Sequence, residues 1–257
     1  MPVNRQLWKR SISKHYIPAW PCPACGEGKL QMKKGTMNYE ETRDSRLRHS
    51  DDDFLMLDVE FVFSANLECA RCKEIISCCG VGGYDQSYGQ DEDGDIAVDY
   101  TEIFFPRYFS RAMKIFECPH GSPKEIKISI EKSLLIAFCD SGAAANHIRQ
   151  CAEEILSQAG ISGKHKNGGF IRMEQRIEAF RQANPRNAGY VDALRWIGNF
   201  GSHPEDITKD DVFDAYDILE LLLEDLYVGH RRSVEELVNR INQSKRPVGR
   251  AERHHRS

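Results

Sequence analysis

The chain has 257 residues, 40% of them hydrophobic and 29% charged, with a formal net charge of −4. That composition suits an ordinary globular protein with a full-sized core, in one large domain or two modest ones. No stretch approaches eighteen uncharged apolar residues, which excludes a membrane-spanning helix.

The net charge hides segregation. Residues 205–225 hold nine carboxylates against one lysine, and residues 231–257 hold eight Arg or Lys against three Glu. Net charge therefore names no partner. The opening run, MPVNRQLWKRSISKHYIPAW, is basic and lacks the apolar core of a signal peptide, so a cytoplasmic location is expected. Disulfides are rare there, and nine cysteines call for another explanation.

In chain order, residues 1 to about 17 read as a leader, whether ordered or not being left open. The segment WPCPACGEGKL makes a tight cysteine turn with Gly26 beyond the second cysteine, and residues 31–53 read as a loop or ragged hairpin. FLMLDVEFVFSANLEC alternates around Val59, Phe61 and Phe63 and predicts a strand leading into a second cysteine pair. CCGVGGYDQSYGQDEDGD, rich in glycine and acid, reads as irregular. Asp91, Asp93 and Asp95 invite a calcium reading, but the glycine falls too early and no glutamate closes the loop. Short extended segments are expected at Glu102–Phe105 and Ile126–Ile130.

From about Ser129 the pattern turns helical. Ala144, Ile148, Ala152, Ile155 and Ala159 form one stripe, ended by Gly160. Further helices are expected over Phe170–Arg181 and Gly189–Asn199. The longest starts after the N-cap Thr208, carries Asp210 and Asp211 in its first turn, and stops at Gly229. SVEELVNRI predicts a short amphipathic helix. The fold class is α+β: an N-terminal zinc ribbon with short antiparallel strands, then a bundle of five or six helices. The expected boundaries are 18–124 for the β-containing region, 125–244 for the helical domain, and 245–257 for a basic, disordered tail. A nucleic-acid-binding arm is the alternative for that tail.

Cys22-x2-Cys25 and Cys69-x2-Cys72 form two knuckles, each placing two thiolates on one turn. Two such pairs suit a structural Zn²⁺, with iron as the chemical alternative. Four sulfurs leave no open position for substrate, which argues against a catalytic metal. Cys78, Cys79, Cys118 and His120 are further potential ligands that could replace a member of the set. Cys139 and Cys151 read as small core residues.

In the helical half, ALRWIGNFGSHPED spaces Arg195, Asn199 and His203 four residues apart. On one helix face they could hold a phosphate and supply an acid or base. The structural alternative is that Asn199 and His203 satisfy backbone groups at a helix end.

The runs AAANHIRQCAEEILSQAGI and LRWIGNFGSHPEDITKDDVFDAYDILELLLEDLY closely resemble the domain of unknown function 4145 family. Its domains look like members of the HEPN superfamily of helical bundles. The family's arginine–glutamate pair is matched by Arg149 and Glu153, and its second signature by Leu194, Arg195, Gly198, Asn199 and His203. Ribonucleolytic members of the superfamily carry an arginine where this chain has Gly198. The resemblance implies a homodimer and a phage-defence or toxin-related setting. Two functions follow: a zinc-containing, non-enzymatic binding or regulatory module with a protein, RNA or DNA partner, or a metal-independent ribonuclease using His203 and Arg195.

Overall fold

The computed structural model describes residues 3–90, 96–201 and 207–245. It has an N-terminal sheet region and a C-terminal helical bundle. Among the described residues, no helix is long and apolar enough to cross a membrane.

The chain opens with a short helix, α1 (Arg5–Lys9), capped by the Asn4 side chain, which accepts from Leu7 N–H. Strands β1 (Leu30–Met32) and β2 (Asn38–Glu41) follow, then helix α2 (Arg43–Arg48). The rest of the sheet is β3 (Phe61–Cys69), β4 (Ile75–Gln90) and β5 (Ile96–Phe109), all antiparallel. β1 and β2 share one edge of β3, β2 beside Phe61–Ser64 and β1 beside Leu67–Cys69. The alternation expected in β3 is present: Phe61, Phe63, Ala65, Leu67 and Cys69 are buried, while Val62 and Ser64 are exposed.

Three local expectations are corrected, and one left open is answered. The glycine-rich segment after Cys78 is not irregular; as far as Gln90 it is the middle and distal part of β4. Its glycines mark close packing instead: a Cβ on Gly80 would lie 2.2 Å from Phe105 O, and one on Gly82 would lie 2.5 Å from the Phe104 ring. Asp91, Asp93 and Asp95 lie outside the described residues. Ile126–Ile130 is helical, within α3 (Lys124–Ile136). The alternation IKISI mimics a strand, yet Ile126, Ile130 and Leu134 are buried while Ile128 is 41% exposed, which is the helical spacing. Residues 31–53 contain α2 as well as strands. The opening segment, whose order the sequence leaves open, is packed: Val3, Trp8 and Ile12 are buried, and Ile12 bridges to Phe104.

The bundle continues with α4 (Ser141–Gln158), α5 (Met173–Ala183), α6 (Pro185–Phe200), α7 (Lys209–Leu223) and α8 (His230–Ser244). Ala144, Ile148, Ala152 and Ile155 are buried as their spacing requires, whereas Ala159 is the exposed C-cap. Thr208 and Asp211 form a reciprocal capping box at the start of α7. A π-helical turn over Glu224–Val228 ends at Gly229, whose φ is +68°. Inside the bundle, Tyr216 and Ser133 hydroxyls lie 2.7 Å apart and Ser133 Oγ donates to Ala144 O, linking α3, α4 and α7.

The two halves share one core. Trp8 and Trp20 stack at 6.2 Å, and Phe138 of the bundle packs on Trp8 at 5.9 Å and on Phe109 at 5.1 Å. α1 also docks electrostatically on α7. Arg5 pairs with Asp214 and Asp217, and Lys9 with Asp210 at 2.5 Å. The acidic run is thus met by the basic N-terminal segment.

Candidate metal centre

The sheet brings the two knuckles together at one end. The first lies between Trp20 and β1, and the second is the turn joining β3 to β4. The two turns are built alike. Gly26 N–H donates to Cys22 O and Lys73 N–H to Cys69 O, so each turn closes four residues after its first cysteine. The closing residue is left-handed in both, with φ +74° at Gly26 and +64° at Lys73. Ala70 N–H donates to Lys29 O and locks one turn to the other. Arg71 pairs with Glu27 across the two tips.

The sulfurs of Cys22, Cys25, Cys69 and Cys72 all lie within 4.8 Å of one another. Cys22 and Cys72 are 3.7 Å apart, and Cys25 and Cys69 3.8 Å. A Zn–S bond of about 2.3 Å sets tetrahedral sulfurs about 3.8 Å apart, so the donor set fits such an ion. Each knuckle also aims a backbone N–H at a sulfur: Gly28 at Cys25 and Cys72 at Cys69, both at 3.4 Å. The Gly28 N–H, aided by the neighbouring sulfurs, lowers the Cys25 thiol to about 7. The Cys72 N–H likewise lowers Cys69. Cys72 moves the other way, to about 12: the Glu74 N–H favours its thiolate, but loss of solvent and the three adjacent sulfurs outweigh that. Four sulfurs this close ionise together only around a cation.

Gly28 has a role that spacing alone does not reveal. A Cβ there would lie 2.3 Å from Cys69 Sγ. The signal available is the second glycine of CGEG, three residues after Cys25.

The other thiols stand apart, and among the described residues these four cysteines are the one cluster with metal-ligand spacing. Cys78 is buried in β4, and burial pushes its thiol up to about 12. Cys79 is exposed, and the Cys118 sulfur lies against its neighbouring Pro119 carbonyl and beside the Ser122 side chain. All nine cysteines are free thiols.

In the helical half, Arg195 and Asn199 are one turn apart on α6, and His203 lies outside the described residues. Arg195 is already engaged: its guanidinium pairs with Asp192 at 2.8 Å and lies 4.2 Å from the Trp196 ring centroid. Asn199 is exposed. Arg149 and Glu153 pair at 3.1 Å on α4. Gly198 sits where α4 and α6 cross, and a Cβ there would lie 2.3 Å from Arg149 Cβ. This packing leaves no room for the arginine of the ribonucleolytic pattern at that position.

Two family comparisons match the chain. Residues 10–109 are similar to the domain of unknown function 8608, and residues 131–244 to the domain of unknown function 4145. The second agrees with the resemblance drawn from the helical motifs, whereas the first has no counterpart in the sequence reading. No curated protein and no solved structure matches the chain.

Proposed function

We propose that this protein is a zinc-containing binding or regulatory module without catalytic activity at the metal. The observation that carries this reading is the convergence of four thiols at tetrahedral spacing. A fully sulfur-bound Zn²⁺ has no open position for water or substrate, so its contribution is to hold the knuckles and the sheet end together. In this reading the N-terminal region is a zinc ribbon, the bundle is HEPN-like, and the cytoplasm keeps the cysteines reduced.

The test is metal analysis of the purified protein and of a Cys22→Ser/Cys69→Ser double variant. One Zn²⁺ per chain in the first and none in the second is expected. Equal zinc in both overturns the assignment, and iron in place of zinc corrects the metal.

The homodimer proposal is supported by the apolar stripe Val234, Leu237, Val238 and Ile241 on α8, each 37–47% exposed. Sedimentation showing only monomer at micromolar concentrations refutes it. The ribonuclease alternative has less support, because Arg195 is held by Asp192 and Trp196 and Gly198 stands at the arginine position. Cleavage of a mixed RNA pool by wild type, lost in both Arg195→Ala and His203→Ala, restores it. A defence or toxin-related setting rests on the family resemblance.

A further inference from the structure

The segment between α4 and α5 builds a second site, remote from the cysteines. Residues 163–171 fold back as a tight loop: His165 N–H donates to Gly169 O at 2.7 Å, Ile171 N–H donates to Gly163 O at 2.9 Å, and Lys164 bridges to Phe170. Phe170, at the loop's return, is 82% exposed, and Lys164 Nζ lies 5.6 Å from its ring centroid. An exposed phenyl ring beneath a cation has no stabilising role in the core.

Beside this loop is an open cleft of about 780 Å³ between α4 and the start of α5. Four cations line it, Arg149, Lys164, Arg172 and Arg176, against one carboxylate, Glu153. Glu153 is already paired with Arg149. Arg176 is unusual because it is only 5% exposed and makes no ion pair among the described residues. One of its nitrogens donates to Glu153 O, Ser157 Oγ and Ile161 O, and its Nε has no partner. No carboxylate pairs directly with this buried guanidinium, although Glu153 and Glu154 favour its charge from a distance, so the cleft floor keeps a positive group.

The second observation is independent of these side chains. Helix α5 has 11 residues and starts at the cleft with no side-chain cap, Arg172 standing at the N-cap position. Its first N–H groups and the positive end of its dipole add to the same field, offset in part by Glu174 in the first turn. A cationic floor, an uncapped helix start and a free aromatic face are the three elements that recognise a phosphate joined to a base.

We propose that the cleft between α4, α5 and the 163–171 loop binds a nucleotide unit of single-stranded nucleic acid. The phosphate lies at the start of α5 against Arg172, over the buried charge of Arg176, and a base stacks on Phe170. Lys164 and Lys166 on the loop carry the positive surface onward to a neighbouring phosphate. This deepens the binding-module reading by naming a ligand, and it does not depend on the metal.

The experiment is fluorescence-anisotropy titration of the full chain with labelled oligouridylate and oligothymidylate of about 12 nucleotides. Uridine monophosphate serves as competitor, and the RNA is examined for cleavage afterwards. The variants are Arg172→Glu, Lys164→Glu and Phe170→Ala, all at exposed positions, with circular dichroism to establish that each folds. Wild type should bind, and each variant should weaken binding by about tenfold. The logarithmic salt slope should become shallower by about 0.7 for each cation removed. Displacement by the monophosphate at equal concentration assigns the site to free nucleotides, and displacement only in large excess assigns it to a strand. Absence of binding by both probes overturns the proposal, as does binding that all three variants leave unchanged, which places the contact elsewhere on the chain. Intact RNA is expected. Cleaved RNA, with binding lost in the variants, keeps the cleft and overturns the non-enzymatic reading, whereas no binding by zinc-loaded protein overturns the cleft alone.

Discussion

Gly28→Ala tests whether the two knuckles form one metal shell. The added methyl would lie 2.3 Å from Cys69 Sγ and 2.9 Å from Arg71 Cβ. Ordinary contact begins near 3.5 Å, so methyl or sulfur must retreat by more than about 1 Å. Metal–ligand distances in a structural site hold to within about 0.2 Å of their usual values. Retreat of Gly28 also withdraws the N–H that lies 3.4 Å from Cys25 Sγ. One substitution therefore disturbs a ligand from each pair without removing a sulfur. Changes in groups that merely orient metal ligands cost about 10–100-fold in affinity. Displacing a ligand itself should reach at least the upper end, about 3 kcal/mol. Competition for Zn²⁺ against a chromophoric chelator measures that loss, and melting curves with and without added metal follow its effect on the fold. Gly189→Ala is the control, since a Cβ there meets nothing within 4 Å. In α6 it should stabilise the protein by about 0.5–1 kcal/mol. Wild-type zinc affinity and an unchanged melting temperature in Gly28→Ala would refute the reasoning.

Gly198→Arg, which supplies the arginine of the ribonucleolytic pattern, should destabilise the bundle by about 3 kcal/mol through overpacking at the α4–α6 crossing. It should confer no RNA cleavage; a stable, RNA-cleaving variant would contradict the crossing geometry. Lys73→Gly should raise stability by about 0.5–1 kcal/mol in a denaturant titration by relieving the left-handed backbone at φ +64°. The exposed Lys73–Glu68 pair lost with it contributes little, and a net loss of stability would count against the strain argument. Thr208→Ala should cost about 1 kcal/mol at neutral pH by removing the α7 cap. The cap hydrogen bonds from Thr208 hold the Asp211 carboxyl below its usual range. That stabilisation is complete above the ordinary carboxylate pKa and is lost as pH falls through the lower folded value. The wild-type advantage over Thr208→Ala in thermal melts should therefore shrink in acid, and a constant advantage would refute the assigned box.

The legible parts of the fold are those in which one face is buried and the other is wet. β3 alternates because its inner face meets the aromatic core, and α4 shows its stripe because α3, α6 and α7 cover one side of it. The cysteine turns were legible because short-range spacing constrains both ligands of a pair at once. IKISI in α3 misleads because an exposed Ile128 happens to complete a strand-like alternation. β4 hides because its glycines, required where β5 presses close, look like loop residues. The α1 segment hides for another reason, since its basic residues have meaning only beside carboxylates that lie 201 or more positions away in sequence. Gly198 was legible as a departure from a motif, but its physical cause, the Arg149 stem packed against it, appears only in three dimensions.

The docking of α1 on α7 imposes an order of events during synthesis. Lys9 and Asp210 are 201 residues apart, so at about 5–20 residues per second the first helix emerges roughly 10–40 s before its partner. Throughout that interval Arg5, Lys9 and the Val3 N–H lack their α7 carboxylates, although Trp8 can already pack on Trp20 and, once it emerges, on Phe138. Closure of the N-terminal strap therefore waits for α7. A nascent protein halted before α7 would present Arg5 and Lys9 without their carboxylates, an unmatched pair of cations on α1.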